Sequence, residues 1–217
     1  MNKAIKEKCR LLIIGDSEVG KTSFLSCYSK GEFNLTYLAT TGFEFSTKDD
    51  IIDDKLVRVE LWDTSGTEKF HSLTANFFNR AEGIMVMFDV TNIESYENVR
   101  NWTESIKIHI SSEINNIPVI IIGNKIDIKN REIKTEEAKK FCQELGYKYF
   151  ETSAKTGENV NDTIKYLAKE VLRINKINKN NTISSNTGGG NRKNSDGKYS
   201  HHKNGCCYKN GCCCLIM

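Results

Sequence analysis

The sequence predicts an α/β fold in which a six-stranded, mostly parallel sheet has helices on both faces. Five short apolar runs typical of buried strands recur along the chain, and most are followed by a segment with the apolar spacing of a helix. These runs are residues 11–14, 57–62, 83–89, 118–123 and 147–150. Strands that alternate with helices are typical of a parallel sheet covered on both sides. The 217 residues suffice for one such domain with a tail but are few for two.

The sixth strand comes from a break in this alternation. Residues 43–52 and 55–62 form two strand-like runs that meet at Asp53 and Asp54. Two runs separated by two turn-forming residues predict a hairpin. We therefore expect one antiparallel edge strand on the parallel sheet.

The last helix is predicted from Val160 to about Lys176, because apolar residues recur there at spacings of three and four. They are Val160, Ile164, Leu167, Val171 and Ile174. From residue 178 the chain is rich in Asn, Gly, Ser and Lys, and it has too few apolar residues to offset the entropy of folding. The sequence thus predicts a short extension over 1–7, one domain over 8–177 and a disordered tail over 178–217.

Charge and cysteine are concentrated in this tail. Residues 176–217 hold seven Lys or Arg against Asp196, a net charge of +6, so the total of +3 leaves the rest of the chain at −3. Five of the eight cysteines lie in the last twelve residues, which excludes a disulfide framework for the fold. No apolar run approaches the roughly 18–20 residues of a membrane-spanning helix. We expect a cytosolic protein, unless the tail holds it to a membrane.

A phosphate-binding loop is predicted at residues 15–22, which match G-x-x-x-x-G-K-[ST] between a strand and a helix. Its glycines allow backbone N–H groups to turn toward phosphate oxygens, and the helix dipole adds to the attraction. Lys21 would supply a positive charge to the β- and γ-phosphates. The Thr22 hydroxyl would be a ligand of Mg²⁺.

The base is predicted to be guanine because of the sequence Asn-Lys-Ile-Asp at 124–127, at the carboxyl end of a strand. The Asp127 carboxylate can accept hydrogen bonds from both the ring N–H and the exocyclic amine of guanine. Adenine lacks this pair of donors and would leave the carboxylate unpaired. A third loop, Ser-Ala-Lys at 153–155, follows the fifth apolar run.

These three motifs, in this order and spacing, resemble the Ras superfamily of small GTPases over about residues 8–177. WDTSGTE at 62–68 resembles the WDTAGQE of that family. FFNRA at 77–81 and FDVTN at 88–92 resemble the YYRGA and YDVTN of its Rab subfamily, and the terminal cysteines agree. The resemblance implies a P-loop NTPase fold, the cofactors GTP or GDP and Mg²⁺, and a role in vesicle trafficking.

The resemblance also implies a role for individual residues. Phe33 would pack on the guanine, and the loop at 153–155 would give it a backbone N–H. Thr22, Thr40 and Asp63, the last through water, would hold Mg²⁺, and the Gly66 N–H would sense the γ-phosphate. The full set of nucleotide contacts is Ser17, Glu18, Val19, Gly20, Lys21, Thr22, Ser23, Phe33, Thr40, Gly66, Asn124, Lys125, Asp127, Ser153, Ala154 and Lys155.

Two loops and three aromatic residues are expected to read the nucleotide state for other proteins. By resemblance, residues 32–42 and 63–78 are ordered by GTP and released on hydrolysis. An exposed aromatic triad between them, Phe45, Trp62 and Phe77, would contact effectors. Without the resemblance, the sequence favours Trp62 as an ordinary strand residue in partly buried packing.

The clearest departure from the family is Thr67, which stands where a Gln orients the attacking water. The catalytic residues would be Lys21 and the residue at position 67. Because a threonine is too short to replace the Gln amide, we expect slow intrinsic hydrolysis that depends on a GTPase-activating protein. The Rap branch of the superfamily is similar, because its DTAGTE motif also has Thr at this position and a partner protein supplies the missing amide. The alternative is a pseudo-GTPase that stays loaded with GTP as a constitutive effector-binding module. Glu18, Thr41 and Ser65 also differ from the family pattern.

The last four residues fit a C-a-a-X signal, which predicts prenylation of Cys214. Cys213 is a second candidate, since Rab proteins more often carry two lipids. One lipid alone binds membranes weakly, and the basic tail or palmitoylation of Cys206, Cys207 or Cys212 would add the second signal. A competing hypothesis is a metal site, which the missing C-x₂-C pair disfavours. Its ligands would be Cys206, Cys207, Cys212 and Cys213, with His201 and His202 nearby.

The partners that follow from this resemblance are an exchange factor, a GTPase-activating protein and effectors, with prenyl-transfer machinery and a GDP-dissociation inhibitor for the lipid. We expect the protein on the cytosolic face of an intracellular membrane, with a cytosolic pool, and no nucleic acid as partner.

Overall fold

The computed structural model describes residues 7–33, 43–64, 77–110 and 117–186. They form one six-stranded sheet with the strand order β2-β3-β1-β4-β5-β6. The strands are β1 Glu7–Ile14, β2 Phe43–Ile52, β3 Lys55–Thr64, β4 Gly83–Asp89, β5 Val119–Asn124 and β6 Lys148–Glu151. The helices are α1 Lys21–Lys30, α2 Ile93–Glu97, α3 Val99–His109, α4 Thr135–Glu144 and α5 Val160–Asn186.

The sheet has the predicted mixed direction. β1 pairs in parallel with β3 and β4, and β5 pairs in parallel with β4 and β6. Only the edge strand β2 is antiparallel, to β3, across Asp53 and Asp54. Both aspartates have positive φ, 47° and 61°, as a two-residue hairpin turn of this twist requires. The predicted hairpin is confirmed.

Two apolar layers cover the sheet, one on each face, because successive strand residues point to opposite sides. On one face Leu11 and Ile13 of β1 pack with apolar residues of α1 and α5. On the other face Leu12 and Ile14 pack with residues of α3 and α4. A strand buried on both faces needs a continuous apolar run, which explains the sequence of β1 at 11–14.

Helix α5 is longer than the sequence predicts. It extends to Asn186, ten residues past Lys176, so the segment 178–186 is helical and not part of a disordered tail. Its apolar face is buried as far as Leu172, and residues 176–180 are exposed. Once a docked helix is nucleated, each added residue gains a hydrogen bond, and no Pro or Gly interrupts the chain before Gly188.

Within these four described ranges, no helix combines the length and the apolar character needed to cross a membrane.

Candidate nucleotide site

The phosphate loop joins β1 to α1 and is wedged in place at two glycines. A Cβ at Gly15 would lie 2.2 Å from the carbonyl oxygen of Met87 on β4. A Cβ at Gly20 would lie 2.5 Å from Nδ2 of Asn124. Both glycines also have φ in the left-handed range, 141° and 97°, so no other residue fits at either position without strain. The phosphate loop therefore requires a residue without a side chain at positions 15 and 20.

Lys21 points its ammonium group back into this loop. The side chain is buried, and Nζ donates to the carbonyl oxygens of Gly15 at 2.9 Å and Asp16 at 2.6 Å. Burial lowers the pKa of Lys21 to about 8, while the carboxylates of Asp63 and Asp16 oppose this shift. An ammonium withdrawn from water in this way is stabilised by a bound anion, as the predicted contact with phosphate requires.

Thr22 and Asp63 meet where α1 begins and β3 ends. The Thr22 hydroxyl donates to Oδ2 of Asp63 at 2.5 Å, and Asp63 is fully buried. Hydroxyl and carboxylate oxygens are the ligand types that Mg²⁺ takes in phosphate sites. The residues present at this point therefore fit the predicted cation.

Asn124 connects all three nucleotide loops through its buried side chain. Its Nδ2 donates to the carbonyl oxygen of Val19 in the phosphate loop at 2.9 Å. Its Oδ1 accepts from the Thr152 hydroxyl at 3.2 Å and from the Ala154 N–H at 3.1 Å. The side chain thus uses both ends of its amide to fix the loops relative to one another.

Asp127 is oriented by the neighbouring loop. The Ser153 hydroxyl donates to Oδ1 of Asp127 at 2.6 Å, and Nζ of Lys155 lies 3.9 Å from Oδ2. Lys125 has a φ of 68° and forms an ion pair of 2.6 Å with Asp89. The structure therefore brings the loops at 124–127 and 153–155 together around one carboxylate.

A polar cluster behind these loops was not predicted from the sequence. Arg131 donates to Glu151 at 2.6 Å, and the Tyr149 hydroxyl donates to the same Glu151 oxygen at 3.0 Å. That hydroxyl lies against Gly123, since a Cβ there would be 2.4 Å from it. Burial alone would raise the pKa of the Glu151 carboxyl, but hydrogen bonds from Arg131, Thr135 and Tyr149 keep that pKa below its usual value. The one sequence feature that could have indicated this cluster is the position of Glu151, directly before the loop that begins at Thr152.

The aromatic residues expected to contact effectors differ in exposure. Phe45 is 53% exposed and lies opposite Trp62 in the β2–β3 register. Trp62 packs edge-on against Phe77, with ring centroids 5.6 Å apart. However, Trp62 is only 9% exposed, because it belongs to the apolar layer on that face of the sheet. The expected exposure is therefore wrong for Trp62, whereas the role of the three residues in effector contact stays a prediction.

Among the remaining predicted residues, Ser17 and Glu18 are exposed at the tip of the phosphate loop, Val19 is buried and Ser23 is half-buried. Phe33 is 36% exposed. The predictions for Thr40, Thr41, Ser65, Gly66, Thr67, Cys213 and Cys214 concern residues outside the described ranges.

Comparison with known proteins identifies the family of the chain. The model of the Ras family matches residues 10–173. The chain is 36% identical over 182 residues to the human Ras-related protein Rab-8B, covering 83% of this chain and 86% of that protein. It is 37% identical over 173 residues to Ras-related protein Rab-13 of Bos taurus, covering 79% and 84%. The protein therefore belongs to the Ras superfamily of small GTPases, in its Rab subfamily.

Proposed function

We propose that this Rab-type small GTPase is a membrane-bound switch in vesicle trafficking. It binds effectors when loaded with GTP and releases them after hydrolysis to GDP. The observation that carries this proposal is the side chain of Asn124, which ties the phosphate loop to both base loops. Such a connection lets one ligand with a base and phosphates engage all three loops at once.

Guanine selection is assigned to Asp127. The hydrogen bond from Ser153 holds one carboxylate oxygen and fixes the plane of the group. Two carboxylate oxygens have about four lone-pair sites, so the group still has capacity for the two donors of guanine. Phe33 would pack on the base, and the loop at 153–155 would give it a backbone N–H.

The phosphates and Mg²⁺ are assigned to Lys21, Thr22 and Asp63, with Thr40 as a further ligand. Mg²⁺ in such a site neutralises charge on the β- and γ-phosphate oxygens. The residues of this chain would orient the phosphates: Lys21 by its ammonium, and residues 17–22 by their backbone N–H groups.

Hydrolysis is expected to be slow without a partner. Thr67 follows Gly66 at the position where a Gln orients water in the family, and its hydroxyl is several ångströms shorter than that amide. A GTPase-activating protein would then supply the missing group, whereas an exchange factor would reload the site with GTP. If no activator exists, Thr67 favours the second candidate function, a GTP-loaded module that binds effectors constitutively.

Single-turnover hydrolysis of radiolabelled GTP separates the two candidates. We expect binding of GTP that excess GDP competes away and excess ATP does not, followed by slow loss of the γ-phosphate that a cell lysate accelerates. Competition by ATP equal to that by GDP would contradict the guanine site. Hydrolysis that no lysate or activator accelerates would leave only the constitutive module.

Effectors are expected to bind near Phe45, the most exposed of the three aromatic residues. Trp62 would support this surface from below through its edge-on contact with Phe77. Large aromatic side chains of this kind commonly provide much of the binding energy at protein interfaces.

Membrane attachment is assigned to prenylation of Cys214 by prenyl-transfer machinery, with Cys213 as a second site. A GDP-dissociation inhibitor that covers the lipid would account for a cytosolic pool. The basic residues of 176–217 would add attraction to the anionic cytosolic leaflet.

Cys214→Ser should move an N-terminally tagged protein from the membrane fraction to the soluble fraction, since a hydroxyl cannot form the thioether. The measurement is cell fractionation followed by immunoblotting. Ser200→Ala serves as the matched control, because residue 200 lies in the same tail but outside the C-a-a-X signal and carries no thiol, so the variant should keep its membrane association. Unchanged membrane association of Cys214→Ser would refute prenyl anchoring at that residue.

A further inference from the structure

Asp16 places a carboxylate inside the loop that is predicted to bind phosphate. Its carboxylate carries a negative charge one residue after Gly15 and five residues before Lys21. A negative charge aimed at the phosphates would repel them. The contacts of this carboxylate therefore decide whether it opposes or supports nucleotide binding.

Both carboxylate oxygens of Asp16 are held by residues near the start of α3. Nδ2 of Asn98 donates to Oδ2 at 2.8 Å, and Nε1 of Trp102 donates to Oδ1 at 2.7 Å. The Trp102 ring is only 7% exposed, so its direction is set by packing. The charge is thus directed toward α3 and compensated there by two donors.

Asn98 is the residue that caps α3, a position where asparagine side chains usually bond to the backbone of their own helix. In the described part of the chain, its side chain makes no such cap hydrogen bond to α3. Its Oδ1, the atom that could cap the helix, accepts from Nδ2 of Asn101 at 3.1 Å. Its Nδ2 donates to Asp16, 82 residues earlier in the sequence, so the side chain links the start of α3 to the phosphate loop.

The position of Asp16 matters because its backbone carbonyl accepts from Nζ of Lys21 at 2.6 Å. The loop is also held at Gly15, against the backbone of Met87, and at Val19, by Asn124. Between Gly15 and Val19, among the described residues, the loop is held to α3 by the two hydrogen bonds to the Asp16 carboxylate. Ser17 and Glu18 beyond it are exposed at the loop tip.

We propose that Asn98 and Trp102 are positioning residues for the phosphate loop, which they hold through the Asp16 carboxylate. The proposal rests on the nucleotide-binding function proposed above. It assigns to α3 the task of keeping the Asp16 carbonyl, and with it the Lys21 ammonium, in place for the nucleotide phosphates.

The first test is an exchange of the two side chains, with the GDP dissociation rate as readout. Asp16→Asn alone loses the acceptor for Asn98, and Asn98→Asp alone places two carboxylates together. Each should speed GDP release by roughly tenfold, the change expected for one charge-assisted hydrogen bond. The double variant D16N/N98D restores the pair with donor and acceptor reversed, and it should recover most of the wild-type rate.

The sign of the Asp16→Asn effect separates positioning from simple charge. If Asp16 acted only as a negative charge near the phosphates, its removal would slow GDP release. Slower or unchanged GDP release by Asp16→Asn would overturn the proposal. So would a double variant that releases GDP as fast as the faster of the two single variants. Asp49→Asn is the matched control, because it removes a carboxylate from an exposed ion pair with Arg58 on the hairpin. It should leave the rate unchanged.

The second test uses Trp102→Phe, which removes the N–H donor and keeps an aromatic ring. GDP and guanosine are compared by displacement of a fluorescent guanine nucleotide. Loss of phosphate-loop positioning should weaken GDP by roughly tenfold and leave guanosine unchanged, since guanosine lacks phosphates. Equal weakening of both ligands would indicate general destabilisation and refute the proposal. Failure of the wild-type chain to bind GDP would instead refute the proposed function.

Discussion

Asp127→Asn should lower the affinity for GDP by about 10²–10⁴-fold, because two charge-assisted hydrogen bonds to guanine are lost or reversed. An amide offers one acceptor and one donor group, whereas guanine needs two acceptors at its N1–H and exocyclic amine. Xanthine carries a carbonyl in place of that amine. The variant should therefore prefer xanthosine diphosphate, whose carbonyl accepts from the new amide.

The measurement is displacement of a fluorescent guanine nucleotide from the wild type, and of its xanthine counterpart from the variant. ATP serves as the negative control in both cases. Ser153→Ala tests the support of the carboxylate and should weaken GDP without a change of base preference. An Asp127→Asn variant that retains tight GDP binding would show that another group selects the base.

The architecture follows from local patterns to a large extent. The turn at Asp53 and Asp54 was predictable because the residues of a two-residue hairpin turn must tolerate positive φ. The apolar run at 11–14 required a strand buried on both faces. The end of α5 was not predictable, since residues 178–186 lack the apolar spacing that marks a docked helix but can still extend one.

The loops of the site were predictable from motifs, but the contacts that hold them were not. Asn124 appears in the sequence as one letter of a base-binding motif, although its amide also bonds to Val19, 105 residues away. The tie from Trp102 to Asp16 spans 86 residues. Such pairs depend on which strands become neighbours, so local periodicity carries no information about them.

One signal for the hidden tie was nevertheless present in the sequence. An acidic residue in a loop that must attract phosphate is a local conflict, and such conflicts require compensation elsewhere in the fold. The Asp16 carboxylate is such a conflict, and the hydrogen bonds from Asn98 and Trp102 compensate it. Trp62 shows the opposite case, since the resemblance implied an exposed side chain and its place in the apolar layer of the sheet buries it.

Thr67→Gln should raise the intrinsic rate of GTP hydrolysis by about tenfold to a hundredfold, the change in rate expected for one hydrogen bond to a charged group in the transition state. A Gln amide can accept from the attacking water and donate toward the γ-phosphate, whereas a threonine side chain is shorter and has no amide to make this pair of hydrogen bonds. Single-turnover release of phosphate from preloaded protein measures the rate. The affinity for GDP should stay within about twofold, because GDP lacks the γ-phosphate beside which the residue at this position of the family orients water.

Thr67→Ala separates the added amide from the lost hydroxyl. If the hydroxyl takes no part in orienting water, Thr67→Ala should hydrolyse GTP at the wild-type rate, and only Thr67→Gln should be faster. A Thr67→Ala variant that is slower than wild type would mean that threonine itself positions the water. Equal rates for all three proteins would place the limiting step outside water positioning, and the dependence on a GTPase-activating protein would then need another cause.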